Sequence, residues 1–160
     1  MQRILQRTII LITFILALIL AVMPMSLAIA PFRPEWPLLA LIYWIIALPH
    51  RVNIGYAAGV GLAVDVLLGS TLGFHTAAYA IIAYPAARYY SRIRNFSLSQ
   101  QALLVMVLVF AARLIVYLFE HYLNNAPLMW HYFWPALSSA IFWPWIFLLL
   151  RKTRRKFLVR

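Results

Sequence analysis

The sequence predicts an all-α integral membrane protein, a compact bundle of six transmembrane helices with both termini in the cytoplasm. Composition excludes a soluble domain, because 66% of the 160 residues are hydrophobic and only 11% are charged, against about 45–50% and about 25% in soluble domains. The net charge of +11 comes from basic residues gathered on one predicted side of the membrane. That placement indicates membrane topology, and we reject a nucleic-acid partner.

The first two predicted spans, 8–30 and 38–49, are separated by a proline-rich break. Arg3 and Arg7 precede the first span, which is longer than the core of a signal peptide. We expect it to be a retained helix that is kinked at Pro24. The second span is short, since its apolar run reaches about 17 Å as a helix and the hydrocarbon core is about 30 Å thick.

Four further spans are predicted at 54–68, 74–90, 101–123 and 132–150, followed by a basic tail at 151–160. A tight polar turn joins the third span to the fourth. The fifth span carries Arg113 in its middle, and the sixth begins in an aromatic cluster and meets Pro144 midway. The chain is therefore read as one domain.

The distribution of basic residues sets the orientation. With six spans, alternate loops share a side, and every Lys and Arg except Arg33 and Arg113 falls on the side of the two termini. The positive-inside rule places that side in the cytoplasm. An odd number of spans would put one terminus outside. The aromatic cluster that contains Trp130 and Trp134 then lies at the outer interface, which aromatic side chains favour.

Asp65 is a lone carboxylate inside the apolar third span, where an ionisable group is costly unless something compensates it. Small residues recur at helical spacing on two faces of this segment. Gly61, Gly69 and Gly73 share the face of Asp65, and Gly55, Gly59 and Ala63 lie on the other. Small residues four apart let helix backbones approach closely. We therefore expect this helix to lie between two neighbours, with its acid pointing into protein.

Arg113 is the one Lys or Arg in the middle of a predicted span, and its long side chain can reach Asp65. We expect a buried Asp65–Arg113 ion pair that fixes helix register. The functional alternatives are a coupling site or a partner contact, with a proton relay ranked below both. If the pair forms, Asp65→Asn and Arg113→Ala should give the same defect without adding.

No pattern of catalytic residues stands out, and we expect neither enzymatic activity nor a cofactor or metal. Cysteine is absent, and the glycines of the third span lack the spacing of a dinucleotide fingerprint. Glu120, His121 and His131 lie near the outer face, but adjacent helical residues diverge by about 100°. We interpret them as interfacial polar residues.

Exposed basic and aromatic residues supply candidate contacts with partners or membrane lipids. Charge that sets topology and attracts anionic lipid is the ordinary interpretation of the basic residues, and docking of a cytoplasmic partner is the alternative. The candidates are Trp36, Arg88, Arg92, Arg94, Trp130, Trp134, Arg151, Lys152, Arg154, Arg155 and Lys156.

The motif G-L-x-x-D-x-x-x-G-x-x-L-G at 61–73, together with chain size, span number, the proline break and the basic tail, resembles the MreD family of rod shape-determining membrane proteins. The resemblance covers essentially the whole chain. It implies a non-enzymatic scaffold of the bacterial inner membrane that helps maintain rod shape by organising peptidoglycan synthesis within the cell-elongation complex.

The resemblance also implies partners: an MreC-like bitopic protein, and with it the MreB filament, RodA and a penicillin-binding transpeptidase. The family is similar in fold to the substrate-binding S-components of vitamin uptake transporters. That similarity supplies the alternative function, a small-molecule-binding component of an uptake transporter with a polar cavity around Asp65, Arg113 and Glu120.

Overall fold

The computed structural model describes residues 1–157, and that part of the chain is helical without strands. Residues 158–160, the end of the predicted tail, lie outside the described residues. The α-helices are α1 Gln2–Val22, α2 Trp36–Ala47, α3 Ile54–Leu68, α4 Phe74–Arg88, α5 Tyr90–Asn95, α6 Leu98–Asn124 and α7 Trp134–Lys156. Short 3₁₀ turns at Ala30–Phe32 and Trp130–Phe133 precede α2 and α7.

Among the described residues, three helical segments are long and apolar enough to cross a membrane: Gln2–Val22, Leu98–Asn124 and Trp130–Lys156. α3 is a shorter apolar helix. α2 has 12 residues and α4 has 15, which correspond to about 18 and 22 Å of helix. The count of six spans therefore remains a prediction.

The first span differs from its expected bounds. α1 begins at Gln2 and ends at Val22, so the chain is not a helix kinked at Pro24. Met23 is extended, with φ −59° and ψ 129°, because the ring of a following proline disfavours helical backbone. Arg33 donates from its guanidinium to the carbonyls of Ala21 and Met23 and so satisfies the end of α1.

Two segments that were predicted to lie on the cytoplasmic side, the loop after the fourth span and the basic tail, are helical. The predicted fourth span ends at Arg88 rather than residue 90, and the short helix α5 follows it. α7 continues through Lys156, so residues 151–156 of the predicted basic tail extend the last helix. Pro144 lies inside α7 without ending it.

α2 is the centre of the bundle. Its residues 37–46 are all buried, and it contacts α1, α3, α4, α5, α6 and α7. A helix that is apolar on every side is buried in a protein core or in a membrane, and its neighbours show that α2 is surrounded by protein. Trp44 donates its indole N–H to Thr13 Oγ1 of α1 over 2.8 Å, and Arg94 Nη2 binds the carbonyl of Ile46 over 2.7 Å at the end of α2.

α3 and α4 form a close antiparallel pair joined by residues 69–73. A Cβ on Gly61 would lie 2.5 Å from the carbonyl oxygen of His75, so only glycine permits this approach. Gly69 ends α3 with φ +66°, and Gly73 precedes α4 with φ +103°. Both values lie in the left-handed region that glycine adopts without strain.

Candidate functional site

Asp65 lies at the centre of a buried polar group that we call the Asp65 cluster, formed with Ser70, Gly73, His75 and Thr76. Its Oδ1 accepts from Ser70 Oγ over 2.8 Å, from the His75 N–H over 3.0 Å and from His75 Nδ1 over 2.8 Å. Its Oδ2 accepts from the Gly73 and Thr76 N–H groups over 3.0 and 3.2 Å and from Thr76 Oγ1 over 3.0 Å. These donors fill the acceptor capacity of a carboxylate.

The Asp65 cluster caps a helix that cannot cap itself. The residue before α4 is Gly73, which has no side chain to accept from the first N–H groups of the helix. Asp65 of α3 performs this role from the neighbouring helix, and a carboxylate there also interacts favourably with the helix dipole. Asp65 is 0% exposed, so its charge is compensated by α4 and its turn rather than by water.

A second buried group, the Glu35 cluster, consists of Glu35, Tyr79, Arg113, Tyr132 and Ser139. Glu35 Oε1 lies 2.6 Å from Arg113 Nη2, and Oε2 accepts from the Tyr79 hydroxyl over 2.9 Å. The Glu35 N–H donates to Ser139 Oγ over 3.1 Å. The Arg113 guanidinium also lies over the Tyr132 ring, 5.0 Å from its centroid. The cluster joins the start of α2 to α4, α6 and α7.

The structure therefore corrects the expected Asp65–Arg113 pair. Each residue is bonded to a different partner, Asp65 to His75 and Arg113 to Glu35. The two clusters are connected by an edge-on contact of the His75 and Tyr79 rings, whose centroids are 5.9 Å apart. The pairing failed because Glu35, assigned to the proline-rich break, folds inward at the start of α2.

Glu35, Tyr79 and Ser139 were not predicted from the sequence as parts of this site, and no partner was predicted for His75. A signal for Glu35 was present. The chain has three acidic residues, and one of them directly precedes a fully apolar run and the helix that this run forms. A buried arginine needs a counter-ion, and Glu35 was one of the few available.

The predicted glycine faces of α3 differ from one another. Gly61 and Asp65 are buried against α4, whereas a Cβ on Gly59 would meet nothing within 4 Å. Gly55 is exposed as well, with Asn53 Oδ1 as its near neighbour. The face of Gly55, Gly59 and Ala63 borders an open groove beside α1, so the expected tight packing on both sides of α3 is present on one.

The candidate surface residues fall into two regions. Trp130 is 78% exposed and Trp134 stacks on Phe32 with centroids 4.9 Å apart, while Trp36 is half-buried against Phe142. The basic candidates are mostly exposed or half-exposed: Arg88, Arg92, Arg151, Lys152, Arg154, Arg155 and Lys156. Arg94 differs, because its guanidinium binds carbonyls at the end of α2.

The fold and the two clusters define an all-helical membrane protein in which buried carboxylates tie helices together. The family model described as rod shape-determining protein MreD matches residues 1–153. The rod shape-determining protein MreD of Haemophilus influenzae is 41% identical over 143 residues, which cover 89% of this chain and 88% of that protein. No solved structure matches the chain.

The chain therefore belongs to the MreD family of rod shape-determining proteins. Its role is in the determination of rod shape, and the family is a structural one.

Proposed function

We propose that this protein is a non-enzymatic scaffold of the bacterial inner membrane that helps organise peptidoglycan synthesis in the cell-elongation complex. The observation that carries the proposal is that two acids inside the bundle, Asp65 and Glu35, hold neighbouring helices together. Asp65 and Glu35 have their carboxylate oxygens bonded to groups on other helices or turns. They hold the helices in fixed relative positions, and a fixed surface is what a scaffold offers its partners.

The proposed topology is six passes with both termini in the cytoplasm. α2 is too short to cross the hydrocarbon alone, but protein surrounds it, so its ends need not meet lipid. The basic residues at 3–7, 51, 88–94 and 151–156 mark the cytoplasmic side under this arrangement. Arg33 and Arg113 are both bonded within the bundle.

The aromatic surface around Trp130 and Trp134 is the proposed contact for an MreC-like bitopic partner. It borders an apolar groove of about 400 Å³ between α6 and α7, lined by Phe110, Phe133 and Leu137 among others. Large aromatic side chains contribute much of the binding energy at interfaces. The exposed basic residues of α5 and α7 face the cytoplasm in this topology and suit contacts with the MreB filament, RodA or a transpeptidase.

Site-specific photo-crosslinking tests this surface in cells depleted of the native protein. A crosslinker at Trp134 should capture a co-expressed bitopic MreC-type protein, while one at Arg92 tests the cytoplasmic face. Trp145 is the matched control, because it is an exposed tryptophan on the same helix that is 72% exposed in mid-span. Equal capture from Trp134 and Trp145 would contradict the proposed surface, and normal rod shape after depletion would contradict the function.

The uptake-transporter alternative has no support from the relatives. It also required Asp65 and Arg113 to face a shared polar cavity. Asp65 is fully buried with its oxygens occupied, and Arg113 is paired with Glu35.

A further inference from the structure

A basic cavity of about 420 Å³ lies between the start of α1 and the loop that follows α2. Its lining residues are Arg3, Arg7, Ile10, His50, Arg51 and Tyr56. Arg3, Arg7 and Ile10 share one face of α1 because they are spaced four and three residues apart. The loop brings Arg51 to the same place, and Arg51 Nη1 donates to Gln6 Oε1 over 2.7 Å. Three arginines therefore border one concavity.

Among residues 1–157, no carboxylate forms an ion pair with the arginines of this cavity. None of its lining residues is acidic, and of the three acids in the chain, Asp65 and Glu35 are bonded in the clusters described above. A guanidinium presents a planar fork of donors that matches phosphate oxygens in a bidentate manner. The chemistry that complements such a cavity is an anionic phosphate group.

An apolar groove of about 550 Å³ adjoins the basic cavity, and Tyr56 lines both. The groove runs between α1 and α3, bordered by Leu11, Ile15 and Leu18 on one side and by Gly55, Gly59 and Ala63 on the other. From Leu11 to Leu18 the helix rises about 10 Å, which stays within the roughly 15 Å of one leaflet. The absent side chains of the two glycines create the space.

We propose that the cavity and groove together form a binding site for one anionic phospholipid, with its phosphate between Arg3, Arg7 and Arg51 and an acyl chain along Gly55 and Gly59. The combination decides the occupant. A free phosphate would leave the apolar groove unfilled, and an apolar helix of a partner would leave the three arginines without an anionic group to bind. The site lies at the start of the apolar part of α1, which is the depth of a headgroup.

Native mass spectrometry of the purified full-length protein tests the site, with phosphatidylglycerol and phosphatidylethanolamine as probes. We expect one retained phosphatidylglycerol and weaker retention of the zwitterionic lipid. The triple variant Arg3→Gln/Arg7→Gln/Arg51→Gln should reduce that retention by about tenfold or more, since charge-assisted hydrogen bonds are the strong ones. The double variant Arg3→Gln/Arg7→Gln, at two exposed positions, gives the same direction of change if the triple variant does not fold.

The matched control removes the same charge from the same predicted side: Arg88→Gln/Arg92→Gln/Lys152→Gln, three exposed residues outside the cavity. It should leave the retained lipid in place. Equal loss in both triple variants would show diffuse charge attraction and overturn the proposal.

Gly59→Leu tests the groove without altering charge. A Cβ at this position meets nothing within 4 Å, so the helix accepts the side chain, and the side chain occupies the acyl path. We expect loss of phosphatidylglycerol in Gly59→Leu and retention in the smaller Gly59→Ala. Unchanged retention in Gly59→Leu, or displacement of the lipid by millimolar inorganic phosphate, would overturn the lipid assignment.

Discussion

At the scale of single residues, the role of each of the two acids Asp65 and Glu35 depends on which segments of the chain donate hydrogen bonds to its carboxylate. The donors to Asp65 come from the turn and first residues of the next helix, at Ser70, Gly73, His75 and Thr76. The donors to the Glu35 carboxylate come from two other helices, at Tyr79 of α4 and Arg113 of α6, while the Glu35 N–H donates to Ser139 of α7. A charge that is removed from water needs such partners to offset its desolvation. The first acid therefore fixes a local hairpin of helices, and the second fixes the bundle.

Asp65→Asn should destabilise the protein by about 2–4 kcal/mol, because the amide would place its own donors against donors that the carboxylate now satisfies. Denaturant titration in detergent micelles measures the change in unfolding free energy. The control is Glu120→Gln, a carboxylate that is half-exposed on α6. Similar losses in the two variants would contradict the capping role of Asp65.

Glu35→Ala and Arg113→Ala should each cost about 2–3 kcal/mol, since each leaves a largely buried charge without its partner. The double variant should cost little more than either, because the pair is lost once. By contrast, Asp65→Asn combined with Arg113→Ala should be additive within about 0.5 kcal/mol. A double-mutant cycle for the Asp65–Arg113 pair that shows strong coupling would restore the pairing expected from the sequence.

At the scale of the helices, close approach and enclosure determine the arrangement. α3 meets α4 at Gly61, where the carbonyl of His75 occupies the place of a side chain. α2 is enclosed so completely that residues 37–46 are all buried. A short apolar helix can persist in a membrane protein when its neighbours, rather than lipid, surround it. The contact at Gly61 is the more sensitive of the two to a single methyl group.

Gly61→Ala should destabilise the protein by about 2–3 kcal/mol, since the added methyl forces α3 away from α4 and disturbs the bonds to Asp65. Gly59→Ala is the matched control on the same helix. It should be neutral or stabilising by about 0.5–1 kcal/mol, because alanine favours helix over glycine and its methyl meets no atom. Thermal unfolding of both variants in the same detergent compares them, and equal midpoints would argue against the close contact.

At the scale of the whole molecule, charge and length set how the bundle lies in the membrane. α1, α6 and α7 are the helices that reach across hydrocarbon by length, while α2 lies between them and α4. Most of the basic residues lie on one predicted side of the membrane. Under the positive-inside rule that side is the cytoplasm.

Cysteine labelling tests this orientation cleanly, because the natural chain has no cysteine. Leu128→Cys, in the exposed turn after α6, should react with a membrane-impermeant maleimide added outside spheroplasts. Arg92→Cys and Lys156→Cys, both exposed, should react only after permeabilisation. Labelling of Lys156→Cys from outside would contradict a cytoplasmic carboxyl terminus and overturn the proposed orientation.

Composition and periodicity were sufficient for the helical membrane class and for the bounds of α3, because apolar runs and glycine turns are local properties. The motif at 61–73, taken together with chain size, predicted span number and the basic tail, was sufficient for the family. The ends of α1 and the helical state of 151–156 were not predictable in the same way. A proline near the end of α1 is compatible with either a kinked or an interrupted helix, and a run of basic residues is compatible with either a helix or a loop. Tertiary contacts, such as that of Arg33 with the end of α1, decide between these alternatives.

The sequence by itself therefore determined that this is a helical membrane protein of the MreD family with few acids and one-sided basic charge. Only the tertiary structure decided how those acids are used. Asp65 and Glu35 are both carboxylic acids, so the sequence allowed either one to pair with Arg113. The turn after α3 and the first residues of α4 bring six donors to Asp65, and this leaves Glu35 as the counter-ion of Arg113.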